Sequence, residues 1–364
     1  MKKNEVIKMS NNIKFLSIAV IAVAIVGAGL FFTADEKPKD ESVTIRLLDS
    51  GSTPDQWQIV KKLNGRDILK EEGVKYEYIP TSQSGGTSQI QAQLANHVDY
   101  AGGGAWPARI NAIASGGKIK TIVNSVAPIT KDSPGNGLVV LENSSIHTAK
   151  DLIGKKIAIN VLGAESDYVI RQYLKQNGIS IDQVELVVIA DNNLEEQVLR
   201  SGQVDVAAWV TTGGVAYKMA MDRGGLRELP GTTNYDIKGA NTPYGGGFRD
   251  DFIKEHPETV KKFVISFEKV RRIIYDEYKK DPERVKKAYA DALEEKGGNP
   301  RLAKYYEPTF SPDVPFITDE DVQWWLDIFE SEGKLKPGQI KPSDVYTHEF
   351  NPYYQEYIQK KGSK

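Results

Sequence analysis

Cysteine is absent from the 364 residues, and histidine occurs only four times, at His97, His147, His256 and His348. The lack of cysteine excludes disulfides, thiolate metal sites, cysteine nucleophiles and a lipid-modified N-terminal cysteine. No two histidines have the spacing of a metal or catalytic pair. The motifs G-x-S-x-G and H-E-x-x-H and the phosphate-binding lysine loop are absent too. We therefore predict no metal, no cofactor and no catalytic residues, and hence no enzyme.

The chain also lacks a strong charge of either sign. Its net charge is -2, and its 47 lysines and arginines are scattered along the sequence. This distribution argues against nucleic-acid binding, which needs a basic patch or stripe. With 40% hydrophobic and 26% charged residues, the chain is long enough for one sizeable core or for two α/β lobes.

One long uncharged run covers residues 15–34, and no other follows it. Residues 15–34 are rich in Ile, Val and Ala, and a helix of this length spans roughly 30 Å, the thickness of a bilayer core. Lysines before this run predict a cytoplasmic N-terminus and an outward-facing remainder. The segment is either a cleaved signal or a retained anchor. Its length and poor cleavage site favour an anchor, followed by a charged tether over residues 34–42.

One short pattern occurs twice, about a hundred residues apart. Residues 95–101 (ANHVDYA) lead into 102–106 (GGGAW), and residues 201–207 (SGQVDVA) lead into 208–213 (AWVTTG). Both copies predict the end of a helix, a tight turn, a short buried strand and a loop. A duplicated α/β unit indicates two similar lobes. Because ligands of open α/β sheets bind at the carboxyl ends of strands, the two loops would face a shared cleft.

Strands alternate with helices along most of the chain, which predicts an α/β fold of mainly parallel sheets flanked by helices. Strands predicted at 137–141 and 244–248 cross between the lobes. We expect an N-terminal segment and linker at 1–42, lobe one at 43–136 and 244–364, and lobe two at 137–243. The end of the chain forms a helical tail, with helices at 257–279, 282–295 and 319–332.

Loops of small residues at strand ends are the candidate binding elements. Backbone N–H groups at a helix start can hold an anionic oxygen without arginine, and nearby hydroxyls can donate further bonds. The alternative is that these residues only cap their own helices. The loop candidates are Ser50, Gly51, Ser52, Ser84, Gly86, Thr87, Gly163, Ala164 and Ser166.

Apolar and hydroxyl groups further along the chain would complete the cleft. Tryptophans are more often core residues than ligand walls, but Trp106 and Trp209 follow predicted strands. Arg109, after Pro107, could also reach the cleft, although a solvated arginine is the common case. The wall candidates are Gly104, Ala105, Trp106, Trp209, Thr211 and Tyr244.

Four segments resemble one bacterial and archaeal family. Residues 151–158 (DLIGKKIA) resemble its DLKGKKVA strand entry, and residues 160–166 (NVLGAES) resemble its glycine loop. Residues 199–205 (LRSGQVD) resemble LQSGQVDA, and residues 252–263 (FIKEHPETVKKF) resemble FLKEHPEVVKRF. From about Val43 to Asp281 the chain is similar to the substrate-binding proteins of ABC importers for nitrate, taurine and aliphatic sulfonates, the SsuA, TauA and NMT1/THI5-like group.

The resemblance implies a periplasmic-binding-protein type II fold that closes around a solute and delivers it to membrane permease subunits with their cytoplasmic ATPase. It implies a monomer that binds no nucleic acid. The ligand stays open: a sulfonate or taurine-like zwitterion, nitrate, bicarbonate, a carboxylate or a thiamine-precursor pyrimidine. Two tryptophans near the cleft favour an organic ligand over nitrate. A related biosynthetic enzyme that makes the thiamine pyrimidine uses a cysteine-rich motif, which this chain lacks.

Glu165 departs from the resemblance, because the family usually has a small or hydroxyl residue at this position. An outward-pointing carboxylate would complement the helix dipole. A carboxylate that points into the cleft would instead repel a simple anion and favour a ligand that carries an amine. We therefore include Glu165 among the ligand-binding candidates.

Overall fold

A computed structural model describes the chain over residues 43–49, 51, 53–80, 86–131, 133, 137–163, 165–189, 194–209 and 214–362. All of them belong to one structural unit, Asp40–Lys364. The predicted membrane segment at 15–34 lies outside the described residues. Within the part that is described, no helix is long and apolar enough to cross a bilayer.

The strands predicted at 137–141 and 244–248 lie within one residue of those bounds. The strands of the described part are β1 Thr44–Asp49, β2 Lys75–Pro80, β3 Ile119–Asn124, β4 Leu138–Leu141, β5 Lys156–Ile159, β6 Glu185–Val188, β7 Val206–Ala208, β8 Leu226–Glu228 and β9 Gly245–Arg249.

The helices of the two lobes alternate with these strands along most of the chain, as predicted. They are α1 Gln56–Asn64, α2 Ile68–Glu71, α3 Gly86–Leu94, α4 Trp106–Ala114, α5 Glu165–Gln176, α6 Glu195–Arg200, α7 Val215–Asp222, α8 Asn234–Lys238, α9 Asp250–Glu255, α10 Pro257–Lys280 and α11 Pro282–Glu295. The tail adds α12 Asp319–Ser331, α13 Pro342–Val345 and α14 Pro352–Gly362, and 3-10 turns lie at Ala149–Leu152, Ile181–Gln183 and Pro300–Tyr305.

The sheet of lobe one has the order β2, β1, residues 100–101, β9 and β3. Strand β1 pairs in parallel with β2, and Leu47 forms a parallel bridge with Tyr100. Ala101 pairs antiparallel with Gly247 of β9, which pairs antiparallel with β3. Tyr346 of the tail adds a parallel bridge to Thr121 at the outer edge.

The sheet of lobe two repeats this arrangement in the order β6, β5, β7, β4 and β8. Strand β5 is parallel to β6 and β7, whereas β4 is antiparallel to β7 and β8. In both sheets the central segment lies at the end of a copy of the repeated sequence pattern and pairs antiparallel with a strand beside a crossing. The predicted duplication is thus a structural duplication, and the two-lobed α/β fold is confirmed.

Two chain crossings join the lobes. They pair through Ile129 and Asn241, whose backbones exchange hydrogen bonds of 2.7 and 3.0 Å. Thr242 is bound by two helices. Its N–H donates to Asp321 of α12, and its carbonyl accepts from the Trp106 indole of α4. The crossings are therefore fixed to lobe one and to the tail together.

Helix α10 forms the centre of the lobe-one core. Its apolar stripe, which repeats at helical spacing, is buried as the sequence pattern predicts. The stripe consists of Val260, Phe263, Val264, Phe267, Val270 and Ile274.

The helical tail packs against both lobes through α12. Trp325 is fully buried in a cluster with Trp106 of α4 and Tyr168 of α5. The rings of Trp325 and Tyr168 meet edge to face at 5.5 Å. The buried Trp325 ring therefore packs the tail onto both lobes.

Replacing Trp325 with Ala should lower the free energy of unfolding by about 3–5 kcal/mol, the usual cost of deleting a large buried aromatic side chain. The matched control is Trp324→Ala, because Trp324 is only partly buried and its removal leaves a smaller cavity. Denaturant unfolding of both variants tests this. Equal losses would contradict the assignment of Trp325 as the main contact of the tail.

Candidate functional site

A cavity of about 380 Å³ lies at the carboxyl end of the lobe-one sheet. Three chain segments of that sheet line it, through Leu48 of β1, Gly102 and Ser125 after β3. A second cavity of about 260 Å³ adjoins it and is lined by Gly214, Val215 and Lys218 of lobe two. The two cavities share the lining residues Val126, Tyr244, Tyr306 and Thr309. Together they form a cleft with walls from both lobes.

Aromatic side chains dominate the walls of the larger cavity. Two of them, Tyr289 and Tyr306, come from α11 and the segment after it, and their ring centroids lie 4.4 Å apart. The Trp57 ring is mostly buried, and its indole N–H donates to Ser266 at 2.7 Å. The aromatic lining residues are Trp57, Tyr100, Tyr244, Phe267, Tyr289 and Tyr306. Such a wall suits an organic ligand with an apolar body.

The polar lining is concentrated at the start of α1. Asp55 caps this helix by accepting the backbone N–H of Gln58 at 2.9 Å, and the Tyr78 hydroxyl donates to its second oxygen at 2.5 Å. Burial raises the pKa of the Asp55 carboxyl, and the Tyr78 hydrogen bond opposes that shift. Pro54 lies just before this cap, outside the first turn of the helix. The capping-box spacing of Asp55 and Gln58 was the available signal.

The start of α3 packs directly on the loop that follows residues 100–101. A side chain at Gly86 would clash with the backbone of Gly104, and one at Gly103 would lie 2.9 Å from the Gln89 amide. Gly104 has a φ of +99°, a conformation that favours glycine. The N–H of Gly103 donates to Gln89 Oε1 at 2.8 Å. Gly86 and Gly104 are therefore needed for this close approach.

Arg109 lies beneath that loop and is 1% exposed, so it neither reaches solvent nor lines the cleft. Its guanidinium donates to the carbonyls of Ala101, Gly103 and Gly104 at 3.1, 2.8 and 3.2 Å. No carboxylate pairs with it among the described residues, and burial lowers its pKa to about 10. The loop at the base of the cleft thus covers a cation without an acidic partner.

Two of the donors expected at the start of α5 are already engaged. The N–H of Gly163 donates to Asp167 at 2.8 Å, and the Ser166 hydroxyl donates to Asn160 at 2.7 Å. Both groups therefore satisfy their own loop, which is the capping alternative. Glu165 and Asp167 also place two acidic side chains in the first turn. These charges already neutralise the positive end of the helix dipole.

Glu165 points neither outward nor into the cleft, so both expectations for it are wrong. Its side chain is fully buried and accepts a hydrogen bond from Asn234 at 2.8 Å. Lys238 lies 3.5 Å away and is equally buried, with its ammonium over the Trp325 ring. Burial raises the pKa of Glu165, while Lys238 opposes the shift. The carboxylate therefore belongs to an internal ion pair.

Trp106 and Trp209, which were predicted to line the cleft, lie in the core instead. Trp106 is completely buried in the cluster under the tail. Its indole N–H donates to the carbonyl of Thr242. Trp209 is 6% exposed and packs on Tyr217 at 6.0 Å. Neither residue lines the two cavities. Both rings are core residues in this structure, which is the more common role of tryptophan.

The remaining candidates lie in different surroundings. Tyr244 lines both cavities. Ala105 caps α4 through its backbone, and Thr87 is exposed in the first turn of α3. Gly51 has a φ of +64° and donates its N–H to Asp49. The candidates Ser50, Ser52, Ser84, Ala164 and Thr211 lie outside the described residues, so their predicted roles stay predictions.

Contacts also cross the mouth of the cleft. Lys218 of α7 pairs with Glu307 at 2.8 Å, and Asp222 of the same helix accepts from Lys304 and Tyr305 at 2.5 and 2.8 Å. Helix α7 belongs to lobe two, whereas residues 304–307 follow α11 of lobe one. These ion pairs join the two walls in the form that the structure shows. No group of three or more metal-ligating side chains occurs over the described ranges.

The cleft between two duplicated lobes defines a protein of the periplasmic-binding-protein class. Residues 69–283 match the NMT1/THI5 like family, which is more than half of the chain. The protein belongs to this family. No curated protein sequence matches the chain significantly.

Solved structures of the same fold cover most of the chain. The periplasmic aliphatic sulphonate binding protein SsuA from Escherichia coli is 18% identical, with a TM-score of 0.61 over 83% of this chain and 91% of that one. The alkanesulfonate-binding protein SsuA from Xanthomonas axonopodis pv. citri, bound to MOPS, is 16% identical, with a TM-score of 0.60 over 84% and 98%. The periplasmic nitrate-binding protein NrtA from Synechocystis PCC 6803 is 12% identical, with a TM-score of 0.60 over 88% and 89%. These likenesses show the fold.

Replacing Gly86 with Ala should lower the free energy of unfolding by at least about 2 kcal/mol, because overpacking against a backbone forces the helix and the loop apart. The matched control is Gly163→Ala. Gly163 has a φ of +75° but no atom within 4 Å of an added Cβ, so only the strain of about 1 kcal/mol applies. Denaturant unfolding compares the two. A Gly86→Ala variant as stable as the parent chain would contradict the close packing of α3 on the loop.

Proposed function

We propose that this chain is the extracytoplasmic solute-binding component of an ABC importer, and that it captures a small organic anion or zwitterion of the sulfonate or taurine type. The observation that supports this most is the cleft itself. Its two adjoining cavities are lined by both lobes and meet at Tyr244, beside the crossing. Such a site encloses a guest when the lobes close around it.

The anionic end of the solute would bind where α3 starts, at Gly86, against the loop of Gly102 and Gly103. Helix α3 has nine residues and no acidic residue in its first turn, so the positive end of its dipole is not neutralised. Arg109 beneath the loop adds a buried cation. A helix end contributes about 0.3–1 kcal/mol, whereas a micromolar Kd needs about 8 kcal/mol. Direct hydrogen bonds and the exclusion of water on closure would supply the rest.

The size and the walls of the cleft favour an organic solute over nitrate or bicarbonate. A cavity of about 380 Å³ falls in the range of sites that enclose small organic ligands. Its aromatic walls would leave a small inorganic ion poorly solvated. A thiamine-precursor pyrimidine remains the second candidate, because the same aromatic rings can stack on a planar heterocycle.

A binding role accounts for the polar groups of the cleft without a reaction. Asp55 is engaged in capping and in its bond with Tyr78, and Gln89 holds the loop at Gly103. The hydroxyl that contacts Asp55 is that of Tyr78, and burial raises the pKa of this hydroxyl, so it stays protonated and is a poor nucleophile. We therefore propose that the protein is not an enzyme.

Location and partners follow from the same proposal. The lysine-flanked apolar run at 15–34 would hold the protein at the outer face of the membrane, or be removed on secretion. The partners would be permease subunits with their cytoplasmic ATPase, and the protein would act as a monomer. The lobe boundaries expected at 137 and 243 are proposed with it, since the crossings at Ile129 and Asn241 lie near them.

Screening residues 42–364 by thermal shift against sulfonates, amino sulfonates, nitrate, bicarbonate, carboxylates and pyrimidines tests the function. A true solute adds about 2.7 kcal/mol of stability at a hundredfold excess over its Kd. We expect a small organic anion or zwitterion to raise the melting temperature by several degrees. If no compound in the panel moves it, the proposed solute class is wrong.

The control for this screen blocks the cleft. Val126 lines both cavities, so Val126→Trp should abolish the shift that an active compound produces. Val188 is 48% exposed and lines neither cavity, so Val188→Trp should retain it. A shift that survives in Val126→Trp would show binding outside the cleft.

A further inference from the structure

Two hydrogen-bond acceptors lie side by side at one end of the larger cavity, Asp55 and Gln56. The amide nitrogen of Gln56 donates to Thr309 at 2.6 Å. Its Oε1 is buried and has no hydrogen-bond partner among the described residues. A buried carbonyl oxygen without a donor is costly. The site therefore calls for a group that donates hydrogen bonds at this place.

Asp55 supplies negative charge at the same end. No cation lies within ion-pair distance of it in the described part of the chain. The nearest candidate, Lys296, is bound to Asp49 at 2.5 Å. Each oxygen of a carboxylate can accept two hydrogen bonds, so the contacts with Gln58 and Tyr78 leave room for a further donor.

The surrounding rings favour positive charge as well. Tyr100, Tyr289 and Tyr306 line the cavity together with Asp55. Aromatic faces attract ammonium groups by about 0.5–2 kcal/mol. A carboxylate, an unpaired carbonyl oxygen and several aromatic rings thus line one cavity, and no cationic side chain is among its described lining residues.

We propose that Asp55 and Gln56 determine specificity by binding an amine, so that the solute carries an ammonium or another cationic N–H group on an organic body. This inference rests on the proposed solute-binding function and narrows its substrate class. The amine recognition that sequence reasoning considered for Glu165 belongs to Asp55 instead, because Glu165 is occupied by Lys238 and Asn234.

Matched ligand pairs that differ only in the amine test this inference by isothermal titration calorimetry. The pairs are taurine with ethanesulfonate and 3-aminopropanesulfonate with propanesulfonate, and 2-phenylethylamine serves as an amine without an acid group. We expect the aminated member of a pair to bind about tenfold more tightly or better, since a desolvated charge pair is worth at least one such factor. Equal affinity within each pair would overturn the inference but leave solute binding intact. Heat from none of the five compounds, with no thermal shift in the wider panel, would instead reject the proposed function.

Asp55→Asn is the decisive variant. Asparagine caps helices as well as aspartate does, so α1 should stay folded. We expect the preference for the amine to fall below about twofold, with the affinity for the acid alone unchanged or improved. Asp182→Asn is the matched control, because Asp182 is an exposed carboxylate that lines neither cavity, and its replacement makes the same change of charge. A preference that survives in Asp55→Asn, or that is lost equally in Asp182→Asn, would overturn the assignment.

The pH dependence gives a second readout. The titratable groups that interact with Asp55 are Tyr76 and Tyr78 of β2, Tyr100, and Lys296 after α11. Burial raises the pKa of Asp55, so its proton returns at a higher pH than usual and the attraction for an ammonium is then lost. Amine affinity should fall as the pH is lowered through that pKa, and should stay flat in Asp55→Asn. For the same reason the carboxylate costs stability at neutral pH, so Asp55→Asn should not melt below the parent chain. A parallel pH dependence in both proteins would count against the proposal.

Discussion

Contact between the backbone of α3 and the loop at Gly102–Gly104 is the constraint on which the cleft depends. Only glycine at Gly86 and Gly104 allows this approach, since a Cβ at either position would clash with its neighbours. Arg109 fixes the same loop from below through three carbonyls. The floor of the cleft is thus rigid before any solute arrives. A preformed floor lowers the ordering cost of binding.

Much of the fold could be predicted from the sequence, because duplication and periodicity are local signals. The repeated pattern at residues 95–101 and 201–207 marks the central segment of each sheet. The apolar stripe of α10 marks the buried face of that helix. Short elements such as β8 and α8 were missed. Their three and five residues carry too little periodicity to stand out from turns.

The candidate site was less predictable, because side-chain direction is set by tertiary packing. Trp106 follows a strand end, as a cleft residue should, yet its indole turns to Thr242 and the tail. Asp55 shows only a capping signature in the sequence. Its place in the cavity depends on Tyr306 and Thr309, which lie some 250 residues further along the chain. No local pattern relates such distant positions.

The charges at and beneath the cleft indicate which kind of solute it would bind. Arg109 is buried without an acid on one side, and Asp55 lies without a paired cation on the other. Each isolated charge is unfavourable in a poorly hydrated site, so these two groups carry an electrostatic cost at both ends of the cleft. A simple anion would relieve only the first end. A zwitterion would relieve both at once, and its binding energy would then be realised only when closure removes water from the two ends together.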